Sequence, residues 1–156
     1  MKRIYLDLDG VIFPLTPLDQ ANVAEEDVEQ LHNLEWWRRD VVERLGTMGV
    51  EIVLASSWGD EFFSGSIEPS PRRVLQPVRA LATTTHLSKT EAIVNDLEAS
   101  PAQFSWIEDG LTRSMVERVK TATRLRSKGS YIQPNSKTGL TMAEVEVLQQ
   151  YFSDDR

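Results

Sequence analysis

The sequence contains no cysteine. This absence excludes disulfide bonds, zinc–thiolate sites, iron–sulfur clusters and a cysteine nucleophile. The sequence also lacks any apolar run near the ~20 residues that a membrane-spanning helix needs. Charged residues interrupt the first apolar stretch, MKRIYLDLDG, so it does not have the pattern of a signal peptide. We therefore expect a cytoplasmic protein that has no membrane partner.

Basic residues are the scarcer charged class, because 17 lysines and arginines stand against 24 aspartates and glutamates, giving a net charge of −7. An acidic chain has no general attraction for polyphosphate backbones, so we expect no strong nucleic-acid binding. Six basic residues nevertheless gather between positions 113 and 128. A solvated helix face is the simpler explanation of this basic segment, and a rim that faces an anionic substrate is the alternative.

The apolar pattern predicts strands that alternate with helices along the chain. Short apolar runs that end in turn residues predict strands at 4–8, 50–55, 104–107 and 131–133. Helical spacing and capping patterns predict helices at 35–48, 72–82 (interrupted near Pro77), 88–97, 112–120 and from Thr141 onward. This alternation predicts an α/β fold with a mostly parallel sheet, and the length of 156 residues suits a single domain over 1–156.

Carboxylates follow the predicted strands, at the edge of a parallel sheet where ligands bind. Asp7 and Asp9 follow the first strand, and Glu108 and Asp109 follow a later one. In extended backbone, side chains at i and i+2 point the same way, and two converging carboxylates are costly without a cation between them. Mg²⁺ prefers such hard oxygen ligands. The Asp7–Gly10 sequence also suits a simple turn, so this motif alone leaves both interpretations open.

Two further positions suit a phosphoryl group. Ser56 follows the second strand and could donate a hydrogen bond to a phosphoryl oxygen, and Ser57 takes this place if the register slips by one residue. Lys89, at the predicted start of a helix, supplies positive charge for an anionic group. Taken singly, Ser56 is more often a helix cap and Lys89 more often a surface residue. Their order along the chain, together with the carboxylates, favours a phosphate site.

These segments together resemble the haloacid dehalogenase (HAD) superfamily of hydrolases. The matching motifs are Asp7-Leu8-Asp9-Gly10-Val11, Ile52-Val53-Leu54-Ala55-Ser56, Lys89 at the start of a helix, and Phe104-Ser105-Trp106-Ile107-Glu108-Asp109. Further segments are similar to short members such as the phosphatase-like domain of RNA-repair proteins. These segments are Val53–Trp58 with Asp60 and Glu61, Trp106–Asp109, and Gly139-Leu140-Thr141.

The resemblance implies a Rossmann-like three-layer sandwich and a magnesium-dependent phosphatase that works through an aspartyl-phosphate. Asp7 would be the nucleophile, and Asp9 would be the general acid and then the general base. Mg²⁺ would be held by Asp7, by the backbone carbonyl of Asp9 and by Asp109, with Glu108 as an alternative ligand. Ser56, or Ser57 in its place, and Lys89 would bind the transferring phosphoryl group.

The chain departs from the superfamily pattern at two positions. Glu108 stands where members usually have Gly or Asp, and Arg113 stands where many place a second Asp. These departures favour an alternative, a non-catalytic phosphate- or nucleotide-binding module on the same fold. The presence of both Asp7 and Asp9 favours the enzyme.

The gaps between the motifs are too short for a large cap domain. Residues 10–34 and residues 57–88 are the two intervals in which such a domain would be inserted. We therefore expect an open site that accepts a phosphorylated small molecule, a nucleotide or an exposed phosphate of a larger molecule.

Overall fold

A computed structural model of the chain describes residues 1–30, 35–57, 71–82 and 87–154. Its strands are β1 (Lys2–Leu6), β2 (Val28–Gln30), β3 (Trp36–Arg38), β4 (Glu51–Leu54), β5 (Arg79–Ala80), β6 (Gln103–Ile107) and β7 (Lys128–Ile132). Its α-helices are α1 (Arg39–Gly46), α2 (Arg72–Leu75), α3 (Lys89–Ala99), α4 (Arg113–Thr123) and α5 (Met142–Ser153). Five of the strands form one sheet in the order β5-β4-β1-β6-β7, and every pair of neighbours is parallel.

Helices cover both faces of this sheet, which gives the three layers of a Rossmann-like α/β sandwich. Residues of β1 alternate between the two faces, as a strand requires. Ile4 and Leu6 pack in a core with residues of α1, α2 and α5. Tyr5 packs in a second core with residues of α3 and α4. The predicted α/β fold and its mostly parallel sheet are confirmed.

The helix starts follow the sequence closely because polar caps fix them. Ser88 accepts a hydrogen bond from the backbone N–H of Glu91 and begins α3. Thr141 accepts one from the backbone N–H of Glu144, whose carboxylate in turn accepts the N–H of Thr141. This reciprocal pair is a capping box, and it satisfies two backbone donors that a helix start otherwise leaves unpaired.

Two predicted helices are shorter than expected. The helix predicted over 35–48 begins only at Arg39, because Trp36–Arg38 pairs with Val28–Gln30 as an antiparallel hairpin. The helix predicted over 72–82 ends at Leu75, since Gln76 takes a left-handed conformation with φ of 51°. The chain then enters β5 at the edge of the sheet.

The described part of the segment between β1 and α1 contains two 3₁₀ turns, at Leu18–Gln20 and Glu25–Asp27, followed by the antiparallel pair of β2 and β3. No large cap domain is present in the four described ranges, as the gap lengths predicted. Among those same residues, no helix is long and apolar enough to cross a membrane.

Candidate functional site

The carboxyl ends of the three central strands meet at one edge of the sheet. The sheet hydrogen bonds continue one residue past the strands: Asp7 N–H donates to Ile107 O at 3.0 Å, and Ala55 N–H donates to Leu6 O at 2.8 Å. Glu108 N–H donates to Ile132 O at 3.1 Å. These bonds align the first residues beyond the strands, so the polar residues after β1, β4 and β6 lie side by side.

A cavity of about 380 Å³ opens at this edge. All but one of the predicted site residues line it. The lining residues are Asp7, Asp9, Ser56, Ser57, Leu87, Ser88, Lys89 and Asp109. Glu108, the remaining predicted residue, is buried beside the cavity and contacts Lys89.

The turn after β1 separates Asp7 from Asp9. The carbonyl of Leu8 accepts the N–H groups of residues 11–13, and Gly10 has a φ of +75°. Asp7 is buried, with 7% of its surface exposed, whereas Asp9 is exposed. Because β1 ends at Leu6, the extended geometry assumed from the sequence does not extend to Asp9. Asp9 therefore lines the cavity without joining the carboxylate cluster formed by its neighbours.

That cluster consists of Asp7, Glu108 and Asp109. One carboxylate oxygen from each lies within 4.8 Å of the others. The ammonium of Lys89 lies 3.2 Å from Oδ1 of Asp7 and forms an ion pair with Oε1 of Glu108. The second oxygen of Glu108 accepts the Gly110 N–H at 3.1 Å. One ammonium thus contacts two of the three carboxylates, and the cluster keeps an excess of negative charge.

Burial and the contacts among these groups shift the pKa values of the cluster. Burial, together with a hydrogen bond to Glu108, raises the pKa of Asp7 to about 8, although Lys89 acts in the opposite direction. Burial also acts to raise the pKa of Glu108, but hydrogen bonds with Asp7, Asp109 and Lys89 outweigh it and lower that pKa to about 2. Burial and Glu108 raise the pKa of Asp109. These shifts favour a proton shared within the cluster in the absence of a cation, and we propose that the metal-free protein holds one.

The donor set fits a divalent cation. Three carboxylates offer hard oxygen ligands, and their mutual repulsion favours an added positive charge. This acidic cluster is where the chain could hold such a cation.

The two predicted phosphate-binding serines differ in burial. Ser56 is 4% exposed and Ser57 is exposed, yet both line the cavity. Trp58, Asp60 and Glu61, which contribute to the resemblance, lie outside the described residues.

Residues after β7 also contact the site, and the sequence analysis missed them. The side-chain amide of Gln133 donates to the backbone carbonyl of Asp109 at 3.0 Å. Ser136 lies near Gly10, since its Cβ would be 3.1 Å from a Cβ built at that glycine. The signal that could have found them is positional, because both follow the carboxyl end of a parallel strand.

Comparison with known proteins agrees with this geometry. The chain matches the family model described as the HAD domain in Swiss Army Knife RNA repair proteins, over residues 3–145. Searches of curated proteins and of solved structures each found no match. The matched region contains the central sheet apart from Lys2, the first residue of β1, and all residues of the candidate site. The chain therefore belongs to the family of HAD domains found in Swiss Army Knife RNA repair proteins, within a superfamily of hydrolases.

Proposed function

We propose that the chain is a magnesium-dependent phosphatase that hydrolyses phosphomonoesters through an aspartyl-phosphate on Asp7. The observation that carries this proposal is the position of Asp7. Its carboxylate lines the cavity, 3.2 Å from the Lys89 ammonium and close to the carboxylates of Glu108 and Asp109. A nucleophile, a compensating cation and further acidic ligands thus meet at one strand end, as phosphoryl transfer requires.

The first half of the reaction transfers the phosphoryl group to the protein. An Asp7 carboxylate oxygen attacks phosphorus, and the bond from phosphorus to the ester oxygen breaks. Asp9, in its protonated form, donates a proton to the departing oxygen. Asp9 suits this role because it is exposed and lines the same cavity, where it can exchange protons with solvent.

The second half releases phosphate. Asp9, now ionised, takes a proton from a water molecule, and the resulting oxygen attacks phosphorus. The bond between phosphorus and Asp7 breaks, which regenerates the carboxylate. Lys89 has three N–H donors, and Asp7 and Glu108 account for two acceptors. A third donor could contact a phosphoryl oxygen, with Ser56 or Ser57 as a further donor.

Asp7, Asp109 and the backbone carbonyl of Asp9 would hold Mg²⁺. When bound, this ion supplies positive charge that ionises Asp7 and offsets charge on the phosphoryl oxygens. Both oxygens of Glu108 already have partners, in Lys89 and the Gly110 N–H. We therefore assign Glu108 to holding Lys89 in place, and Asp109 to direct contact with the metal.

The substrate would carry an exposed phosphate. The described residues form no large cap over the cavity, so a phosphate on a large molecule can approach. The family description, which concerns RNA repair, makes a phosphate at the end of a nucleic acid a natural candidate. The acidic balance of the chain argues that such a substrate is bound locally at its end and not along an extended backbone.

Hydrolysis of an aryl phosphate tests the proposal directly. We expect turnover that disappears in excess chelator and returns with Mg²⁺. Asp7→Asn should abolish turnover, because an amide does not attack phosphorus, while Asp154→Asn, at an exposed carboxylate outside the site, should leave it unchanged. A non-catalytic binding module would instead bind phosphate compounds and hydrolyse none of a broad panel, with or without metal.

A further inference from the structure

A second cavity is formed by residues that follow Asp109 in sequence and by residues at the carboxyl end of β7. Its volume is about 250 Å³, and it is lined by Leu111, Thr112, Arg113, Val116, Tyr131 and Gln133. Gln133 connects it to the first cavity, because its side-chain amide donates to the backbone carbonyl of Asp109. Pockets that hold a whole small molecule usually measure ~300–1,000 Å³. The second cavity is smaller than this, which suits one part of a ligand whose reacting group lies in the first.

The lining combines flat and apolar surfaces with one cation. Tyr131 is half-buried, and its orientation is fixed by edge packing against Phe104, with ring centroids 5.8 Å apart and an interplanar angle of 90°. The Lys120 ammonium lies 5.7 Å from the centroid of the same ring. Burial raises the pKa of Tyr131 to about 12, so its hydroxyl stays protonated. A rigid tyrosine presents a flat surface at low entropic cost.

Arg113 supplies the positive charge of this lining. It is exposed and stands four residues after Asp109, at the first position of α4. A guanidinium is planar and stacks on aromatic rings as well as pairing with anions. Arginine and aromatic side chains together are the usual surface on which proteins stack nucleobases.

We propose that this second cavity binds the planar heteroaromatic ring of a nucleotide whose phosphate lies in the first cavity. Arg113 and Tyr131 stack on the ring, Leu111 and Val116 cover its edge, and Gln133 couples the two cavities. The proposal rests on the proposed phosphatase function for the reacting phosphate and adds the chemical class of the group attached to it. The ring can belong to a free nucleotide or to the terminal nucleotide of an RNA.

Substrates that differ only in the ring test this inference. The comparison is kcat/KM for nucleoside 5′- and 3′-monophosphates against ribose 5-phosphate and glycerol phosphate. Stacking on one aromatic side chain is worth about 5- to 150-fold in affinity. We expect Arg113→Ala and Tyr131→Leu to lower kcat/KM for the better nucleotide by about that factor and to leave the ringless substrates unchanged. Arg124→Ala, at an exposed arginine outside the cavity, is the matched control. It should leave kcat/KM unchanged both for the nucleotides and for the ringless substrates.

Two outcomes would overturn the proposal. One is an equal loss for substrates with and without a ring. The other is a preference for a second phosphate in place of a ring. It would appear as a higher kcat/KM for fructose 1,6-bisphosphate than for fructose 6-phosphate, and Arg113→Ala would abolish this difference. A trinucleotide with a terminal phosphate then identifies the source of the ring, since a higher kcat/KM than for the mononucleotide indicates an RNA end.

Binding of an unphosphorylated nucleoside separates this inference from the phosphatase proposal. Adenosine, titrated into the full chain and followed by NMR, should shift the resonances of Tyr131 and Gln133, and Tyr131→Leu should weaken the binding. If phosphates are hydrolysed but adenosine shifts neither residue, the ring site is wrong and the phosphatase stands. If adenosine binds there but no phosphate is hydrolysed, the phosphatase is wrong and the ring site stands.

Discussion

Gly10 and Asp109 approach each other so closely that no side chain fits between them. A Cβ built at Gly10 would lie 2.2 Å from Oδ2 of Asp109, well inside van der Waals contact. Gly10 also has a φ of +75°, which residues with a side chain rarely adopt. The turn after β1 thus serves two purposes, since it places Asp7 in the cavity and leaves room for the Asp109 carboxylate.

We predict that Gly10→Ala displaces Asp109 and raises the Mg²⁺ concentration needed for activity. The variant should also lose about 1–2 kcal/mol of unfolding free energy from the left-handed backbone. Gly49→Ala is a matched control, because Gly49 has a φ of +74° and a Cβ there would meet no described atom within 4 Å. Activity assays over a Mg²⁺ titration, with thermal melting of both variants, measure the difference. An unchanged Mg²⁺ requirement in Gly10→Ala would show that Asp109 does not hold the metal.

We predict that Lys89→Met lowers turnover by about 10²–10³-fold, as expected when a preorganised charge partner is removed. Lys89→Arg should not restore full activity, because a planar guanidinium does not replace a compact ammonium between Asp7 and Glu108. Lys128→Met, at an exposed lysine at the amino end of β7, is the control. Steady-state kinetics and melting curves of all three variants test this. Near-normal turnover in a folded Lys89→Met variant would contradict the role assigned to Lys89.

We predict that the metal-free protein loses stability as the pH rises from 5 to 8. An unfolded aspartate titrates near pH ~3.9, whereas burial and Glu108 raise the pKa of Asp7 to about 8 in the folded protein. Between these values the folded state binds a proton that the unfolded state has lost, so the unfolding free energy falls with pH. The raised pKa of Asp109 acts in the same direction. The pKa of Glu108 is lowered to about 2, so its ionised form stabilises the folded state throughout this pH range. That stabilisation is lost only as the pH falls below the range toward 2.

Urea denaturation in chelator at pH 5 and pH 8 measures this loss. Asp7→Asn should reduce the slope between the two pH values, because its amide does not titrate. Mg²⁺ should restore stability at pH 8 by about 2.7 kcal/mol at 100 times its dissociation constant. A stability that rises with pH in chelator would contradict the proposed shared proton.

Much of this architecture could be predicted from the sequence, because the central strands are short apolar runs and the caps at Ser88 and Thr141 are local. The β2–β3 hairpin could not, since three-residue strands are too short to show a period, and Trp36 and Trp37 also fit a helix pattern. β5 has two residues, Arg79 and Ala80, and exists only through pairing with β4. Tertiary contacts of this kind are not encoded in local propensity.

The candidate site likewise contains residues whose positions could be predicted from the sequence and contacts that could not. Asp7, Ser56 and Lys89 could be predicted because each follows a strand or begins a helix. The contact between Glu108 and Lys89 could not, because it depends on how α3 packs against β6. The closeness of Gly10 to Asp109 likewise arises from two loops that are distant in sequence.

A second buried ion-pair network lies at the opposite edge of the sheet. Arg3, only 1% exposed, contacts Oε2 of Glu51 at 3.1 Å and Oδ2 of Asp96 at 3.2 Å. Asp96 also accepts hydrogen bonds from the Tyr5 hydroxyl at 2.5 Å and from Arg79 at 2.5 and 3.0 Å. These groups join the amino ends of β1, β4 and β5 to the second half of α3.

We predict that Asp96→Ala destabilises the protein by about 3 kcal/mol, because it leaves the buried guanidinium of Arg3 without one of its two carboxylates. The loss of unfolding free energy should lie at the lower end of the range measured for broken buried ion pairs, because Glu51 and the Ser100 carbonyl still contact Arg3. Asp40→Ala breaks a pair with Arg38 that is much more accessible to solvent than Arg3 and should cost only about 0–1 kcal/mol. Urea denaturation compares the two variants, and phosphatase assays well below the melting temperature should give an unchanged kcat for both. A loss of kcat in folded Asp96→Ala would mean that the amino edge of the sheet influences Lys89 through α3, so the two edges would not be independent.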